Sequence, residues 1–117
     1  MVLPMSDANQ KISVFLVDDH LVVREGVRVV LEQSGDIEVV GEAATAKEAI
    51  QRIGATRPKV AVIDVQLPDR AGTDLCADIR AAHPDTACLM LTSFADDEAL
   101  FESISAGAAG FVLKQVR

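Results

Sequence analysis

The chain has 117 residues, 18 of them Asp or Glu against 11 Lys or Arg, for a formal net charge of −7. Half of the residues are apolar, but only 3% are aromatic, with neither Tyr nor Trp. That length fits one domain, able to bury about two-thirds of its unfolded surface and so to fold without a metal or disulfide; the acidity argues against binding the nucleic-acid backbone, and the scarcity of rings against a base-stacking platform.

Residues 1–10 carry no long apolar core followed by a small-residue cleavage site, and they read as a flexible leader rather than a signal peptide. No apolar run approaches the roughly 20 residues that span a bilayer. Residues 13–17 form a short apolar strand. Residues 21–33 predict a helix with Val23, Val27, Val30 and Leu31 on its apolar face, closed by Gly35-Asp36. Residues 37–42 alternate as a half-buried edge strand. Thr45-Ala46-Lys47-Glu48 is a capping-box pattern. It opens a helix with Ala46, Ala49, Ile50 and Ile53 inward, which stops before Pro58.

Residues 60–63 are apolar without alternation, as a central parallel strand covered on both faces requires. Residues 73–82 predict a helix with Leu75, Cys76 and Ile79 inward, ended by Pro84, and 88–91 predict a second buried strand. Asp96 caps a helix running to about residue 105, with Leu100, Phe101 and Ile104 on its apolar face, and Gly107 terminates it. Residues 110–113 are the last strand. Cys76 and Cys88 lack closely spaced metal-binding partners. Both read as small buried apolar residues of a reducing, cytoplasmic protein.

Strands alternating with helices imply a parallel sheet with right-handed crossovers and helices on both faces. In such sheets ligands bind beyond the carboxyl ends of the strands. The residues delivered there are Asp18 and Asp19 after the first strand, Asp64 after the third, Thr92 and Ser93 after the fourth, and Lys114 after the fifth. Clustered carboxylates repel one another. A hard cation such as Mg²⁺ relieves this, since it suits one or two carboxylates, waters and a phosphate oxygen. The amine and the hydroxyl then suit a phosphoryl group. The set points to phosphoryl transfer, in which a carboxylate can itself be the nucleophile.

Taken singly, these residues have plainer uses. Asp18-Asp19 suits a helix start, Asp64 a turn, and Lys114 an exposed surface. Their joint placement after separate buried strands carries the reading. His20 reads as a helix-start residue, His83 as a helix-end residue, and Asp96-Asp97-Glu98 as a cap with a solvated first turn.

Val17-Asp18-Asp19-His20, Asp64 with Pro68 and Gly72 after it, Leu91-Thr92-Ser93, Ala106-Gly107-Ala108 and Gly110-Phe111-Val112-Leu113-Lys114 together resemble a response-regulator receiver domain. The Asp-Asp-His opening and the Gly-Phe-Val-Leu-Lys ending are similar to the LuxR-type (NarL/FixJ) subfamily. The resemblance implies a doubly wound five-stranded parallel sheet in the flavodoxin-like order 2-1-3-4-5. It covers residues 11–117 as one receiver domain, lacking the fifth helix and any DNA-binding effector domain.

It further implies that Asp64 accepts a phosphoryl group from a sensor histidine kinase. Asp18, Asp19, Asp64 and the backbone carbonyl of Gln66 would hold Mg²⁺. Thr92 and Phe111 would act as switch residues, and Lys114 would pair with the phosphate. Phe111 serves equally as a core strand residue. The side chain of Gln66 would point toward the attack site, where it can affect access of water. Such a protein is a self-phosphorylating phosphoacceptor with autophosphatase activity.

Two other functions compete. One is a degenerate receiver that serves only as an interaction or dimerisation module. The other is an aspartate-nucleophile phosphatase, which wants an acid where Gln66 stands. Apolar surface beside Val27 and Val30, left open without a fifth helix, is expected to drive self-association. DNA would be reached only through a domain beyond Arg117.

Overall fold

The computed structural model describes residues 11–92, 107 and 110–113. Its elements follow the chain as β1 (Ile12–Val17), α1 (Leu21–Glu32), β2 (Ile37–Ala43), α2 (Ala46–Thr56), β3 (Val60–Asp64), α3 (Gly72–Ala82), β4 (Ala87–Thr92) and β5 (Gly110–Leu113). The leader, the helix expected over 96–105 and residues 114–117 lie outside the described residues.

The strands form one parallel sheet in the order β2-β1-β3-β4-β5. This is the expected doubly wound order, with β1 and β3 inside. Side chains on a strand alternate between faces, and β1 shows the consequence directly. Phe15 and Val17 join the core beneath α2 and α3, with Ala49, Ile53, Leu75, Cys76, Ile79, Cys88 and Met90. Val14 and Leu16 join the opposite core with Val62 and Leu91, against which Val23, Val27 and Leu31 of α1 pack.

Ile50 was expected inward and Val30 on the apolar face of α1, and neither is buried. Val30 is 68% exposed and Ile50 is 45% exposed. Each lies at the flank of its helix's apolar stripe, and the stripe is narrower than the run of apolar residues. In α1 the residues that reach the sheet are Val23, Val27 and Leu31, an i, i+4, i+8 row.

Local chemistry sets the element ends. Thr45 caps α2 by accepting from the Glu48 N–H at 3.2 Å. Asp69, from the loop after β3, accepts from the N–H groups of Ala46 at 2.9 Å and Lys47 at 3.0 Å. The first-turn donors of α2 are thus shared between a local and a remote cap. The Ala46 bond, the strongest of these, holds the Asp69 carboxyl below its usual range. Gly41 of β2 lies over the buried Phe15 ring, where an added Cβ would come within 2.6 Å of Cε2. Cys76 and Cys88 are both fully buried thiols, not joined in a disulfide. Their mutual hydrogen bond, with burial, pushes the Cys88 thiol well up. No helix among the described residues is long and apolar enough to cross a membrane.

Candidate functional site

The sheet register brings the acidic residues together. Val17 of β1 pairs with Ile63 of β3, so the next residues, Asp18 and Asp64, leave adjacent parallel strands at the same edge. Both are buried, whereas Asp19 is exposed. Asp64 pairs with Leu91, which puts Thr92 one residue further along β4 at this edge. Phe111 pairs with Met90 in the β4–β5 ladder. The side chains of Thr92 and Phe111 and all of Lys114 fall outside what the structure describes.

One ligand atom each from Asp18, Asp19, His20 and Asp64 lie within 4.8 Å of one another. The carboxylates of the set are hard oxygen donors from two strand ends, the donor chemistry that suits a small divalent cation. The backbone fixes two of them. Asp18 Oδ1 accepts from the His20 N–H at 2.8 Å, and Asp64 Oδ1 accepts from the Gln66 N–H at 3.0 Å. The side chain of Gln66 is exposed.

The loop after Asp64 is tightly closed. Gln66 bridges Ala71, and the Gly72 N–H donates to the Val65 carbonyl at 2.7 Å. A Cβ on Gly72 would sit 1.8 Å from the Asp64 carbonyl oxygen. Only a residue without a side chain allows α3 to start this close to β3.

The contacts of three residues, Arg24, Arg28 and His20, were not legible in the sequence. Arg24 of α1 reaches back to the Asp18 carbonyl oxygen and also pairs with Glu42 at 3.1 Å. Arg28 pairs with the same Glu42. His20 occupies the N-cap position of α1, but its ring makes no cap bond. Instead Nδ1 lies 3.0 Å from Asp18 Oδ1 and 3.1 Å from Asp19 Oδ1. Placement of a histidine directly after two aspartates was the one available signal for this last contact.

A parallel α/β sheet with an acidic cluster beyond the carboxyl ends of its central strands is the arrangement expected of a receiver domain, and family comparison agrees on the family. Residues 14–117 match the family model of the response regulator receiver domain. The chain belongs to that family.

Among its relatives, the DNA-binding transcriptional activator DevR/DosR of Mycobacterium tuberculosis is 49% identical over 106 residues, 91% of this chain and 49% of that protein. The response regulator protein VraR of Staphylococcus aureus is 38% identical over 103 residues, 88% of this chain and 49% of that protein. The chain therefore spans about half the length of the curated relatives it matches. Among solved structures, the NarL signal receiver domain of M. tuberculosis superposes with a TM-score of 0.86 at 34% identity, covering 92% of this chain and 87% of that one. The isolated RcsB receiver domain of Salmonella enterica, solved with the phosphomimetic BeF₃⁻, gives 0.84 at 27% identity, covering 92% and 80%. The chain is thus a receiver domain with LuxR-type relatives in two-component transcription regulation.

Proposed function

We propose that this receiver is an active phosphoacceptor of a cytoplasmic two-component system. Asp64 takes a phosphoryl group from the phosphohistidine of a sensor kinase, and the resulting switch controls a DNA-binding effector domain outside this chain. The observation that carries the reading is the buried Asp64 carboxylate at the end of a central strand, gathered with Asp18 and Asp19 within 4.8 Å. The likeness to DevR/DosR, described as a DNA-binding activator, supports the effector.

Asp18, Asp19, Asp64 and the Gln66 carbonyl would hold Mg²⁺, which when bound neutralises charge on the phosphoryl oxygens. The Gln66 N–H orients the Asp64 carboxylate. An Asp64 oxygen attacks phosphorus, the P–N bond to the imidazole breaks with its electron pair left on nitrogen, and an acyl phosphate forms. Lys114 pairs with the transferred group, Thr92 donates a hydrogen bond to it, and Phe111 follows Thr92. Water then hydrolyses the acyl phosphate, at a rate set in part by the Gln66 side chain.

The test is the intact mass after incubation with a small phosphodonor and Mg²⁺. One phosphate adduct is expected, absent in Asp64→Asn and absent when a chelator replaces Mg²⁺. In the same time course Gln66→Ala should change the rate of adduct loss. Turnover of the donor without an adduct would favour a phosphatase. No reaction at all would favour a receiver that acts only by protein contact.

A second copy of the chain is a further proposed partner. Val22, Val29 and Val30 leave exposed apolar side chains on one side of α1, and apolar surface of this kind favours contact. Sedimentation should show a concentration-dependent coefficient, reduced by Val29→Ser with Val30→Ser. A strictly monomeric wild type across a wide concentration range would rule the contact out.

A further inference from the structure

We propose that His20 is a fourth ligand of the acidic site, and that its nitrogen gives the site a preference for borderline first-row ions over Mg²⁺. The inference rests on the reading of Asp18, Asp19 and Asp64 as a divalent-cation site and goes beyond it by adding a donor of a different chemical kind.

The geometry supplies the first part. A ligand atom of His20 falls within the same 4.8 Å limit as the three carboxylates. Opposite ligands of an octahedral ion with bonds of about 2.1 Å stand about 4.2 Å apart. The widest pair thus stands no more than about 0.6 Å beyond the span of one ion's shell. Nδ1 already lies 3.0 Å from Asp18 Oδ1 and 3.1 Å from Asp19 Oδ1, close to the separation of neighbouring ligands in such a shell.

The ring can close such a gap without cost to the core. The His20 side chain is 63% exposed, and it caps no helix although it stands at the N-cap of α1. Its backbone is held by the bond from its own N–H to Asp18 Oδ1. The loop thus anchors the base of the ring over the carboxylates, and the contact of Nδ1 with Asp18 Oδ1 turns the ring toward them.

Chemistry supplies the second part. Carboxylate and carbonyl oxygens suit Mg²⁺, which gives up its waters reluctantly. Imidazole suits later first-row ions, and affinity for a mixed nitrogen and oxygen site rises along that row. A site of oxygen donors alone gains less from such an ion than one that includes an imidazole nitrogen. With His20 added, the gain falls on the borderline ion and not on Mg²⁺.

Co²⁺ is the probe, because it reports on its ligands through paramagnetic shifts. Affinities for Co²⁺ and Mg²⁺ are measured by calorimetry on wild type and His20→Ala, with proton spectra of the Co²⁺ complexes. His20→Ala is expected to lose about tenfold or more in Co²⁺ affinity while its Mg²⁺ affinity stays within about twofold. One strongly shifted set of imidazole protons should appear in wild type and vanish in the variant. His83, the other histidine, ends α3 at the far edge of the sheet and should stay unshifted. An unchanged ratio of the two affinities, or no shifted imidazole, overturns the role of His20 while leaving the carboxylate site standing. Failure of wild type to bind either ion overturns the carboxylate site itself.

Discussion

Replacing Gly72 by Ala is expected to cost about 3 kcal/mol of stability or more, and to disable the acidic site in whatever fraction still folds. The new methyl carbon would lie 1.8 Å from the Asp64 carbonyl oxygen, 2.8 Å from its carbonyl carbon and 3.1 Å from Ile63 Cγ2. Neither side can yield cheaply. Asp64 is locked in the ladder opposite Leu91, and the following Val65 N–H donates to the Leu91 carbonyl at 2.9 Å. Gly72 starts the helix that carries Leu75, Cys76 and Ile79 into the core. Relief must come from moving α3 off β3, which breaks the 2.7 Å bond from the Gly72 N–H to Val65 and loosens that core.

A loss of this size is a large share of the roughly 5–15 kcal/mol that holds a domain together. It should lower the melting temperature by about 10 °C or more. Gly54→Ala is the control. Gly54 lies within α2 with nothing within 4 Å of an added Cβ, so the same change should stabilise by up to about 1 kcal/mol. Urea titrations of both variants decide the matter. A Gly72→Ala protein as stable as wild type would mean that β3 and α3 separate freely.

This glycine also marks the limit of what could be read from the sequence. The unbroken apolar run at Val60-Ala61-Val62-Ile63 identified a central strand. Parallel pairing then forces the residues after each strand to one edge, so the delivery of Asp18, Asp19 and Asp64 to that edge was legible from order alone, while the adjacency of β1 and β3 came from the resemblance. Element ends were legible to within a residue or so, because Thr45, Gly35 and Pro58 act locally.

The long-range contacts were not legible. Asp69 caps α2 across more than twenty positions of sequence, while the capping box at Thr45 gave no hint of a second acceptor. Nothing in the periodicity of α1 singles out Arg24, which reaches the Asp18 carbonyl. Periodicity gave the apolar side of α1 and α2, yet not the width of the strip that meets the sheet, and so misplaced Val30 and Ile50. Gly72 stood out as a motif residue, but its physical reason is a backbone approach that only coordinates reveal.

Asp19→Asn should separate the stability of the site from its function, making the metal-free protein more stable while sharply weakening the response to Mg²⁺. Carboxylates whose oxygens lie within 4.8 Å of one another repel by roughly 3 kcal/mol or more at an effective dielectric constant near 20. Asp19 is 36% exposed, and His20 stands 3.1 Å from it, so solvent and the ring screen most of that cost. A gain of about 1 kcal/mol in chelator is the expected remainder. Asp19 is the informative position because Asp18 and Asp64 also accept backbone hydrogen bonds, whose loss would obscure the electrostatic effect. In wild type, Mg²⁺ at a hundred times its dissociation constant should add about 2.7 kcal/mol. The variant, short of one ligand, should gain far less at the same concentration, and its phosphate adduct should fall in parallel. The order of stabilities in urea therefore inverts: the variant leads in chelator and wild type leads in Mg²⁺. Equal stabilisation of both proteins by Mg²⁺ would remove Asp19 from the metal site. A variant less stable than wild type in chelator would mean that the metal-free cluster is held by attraction to His20 rather than strained by its own charge.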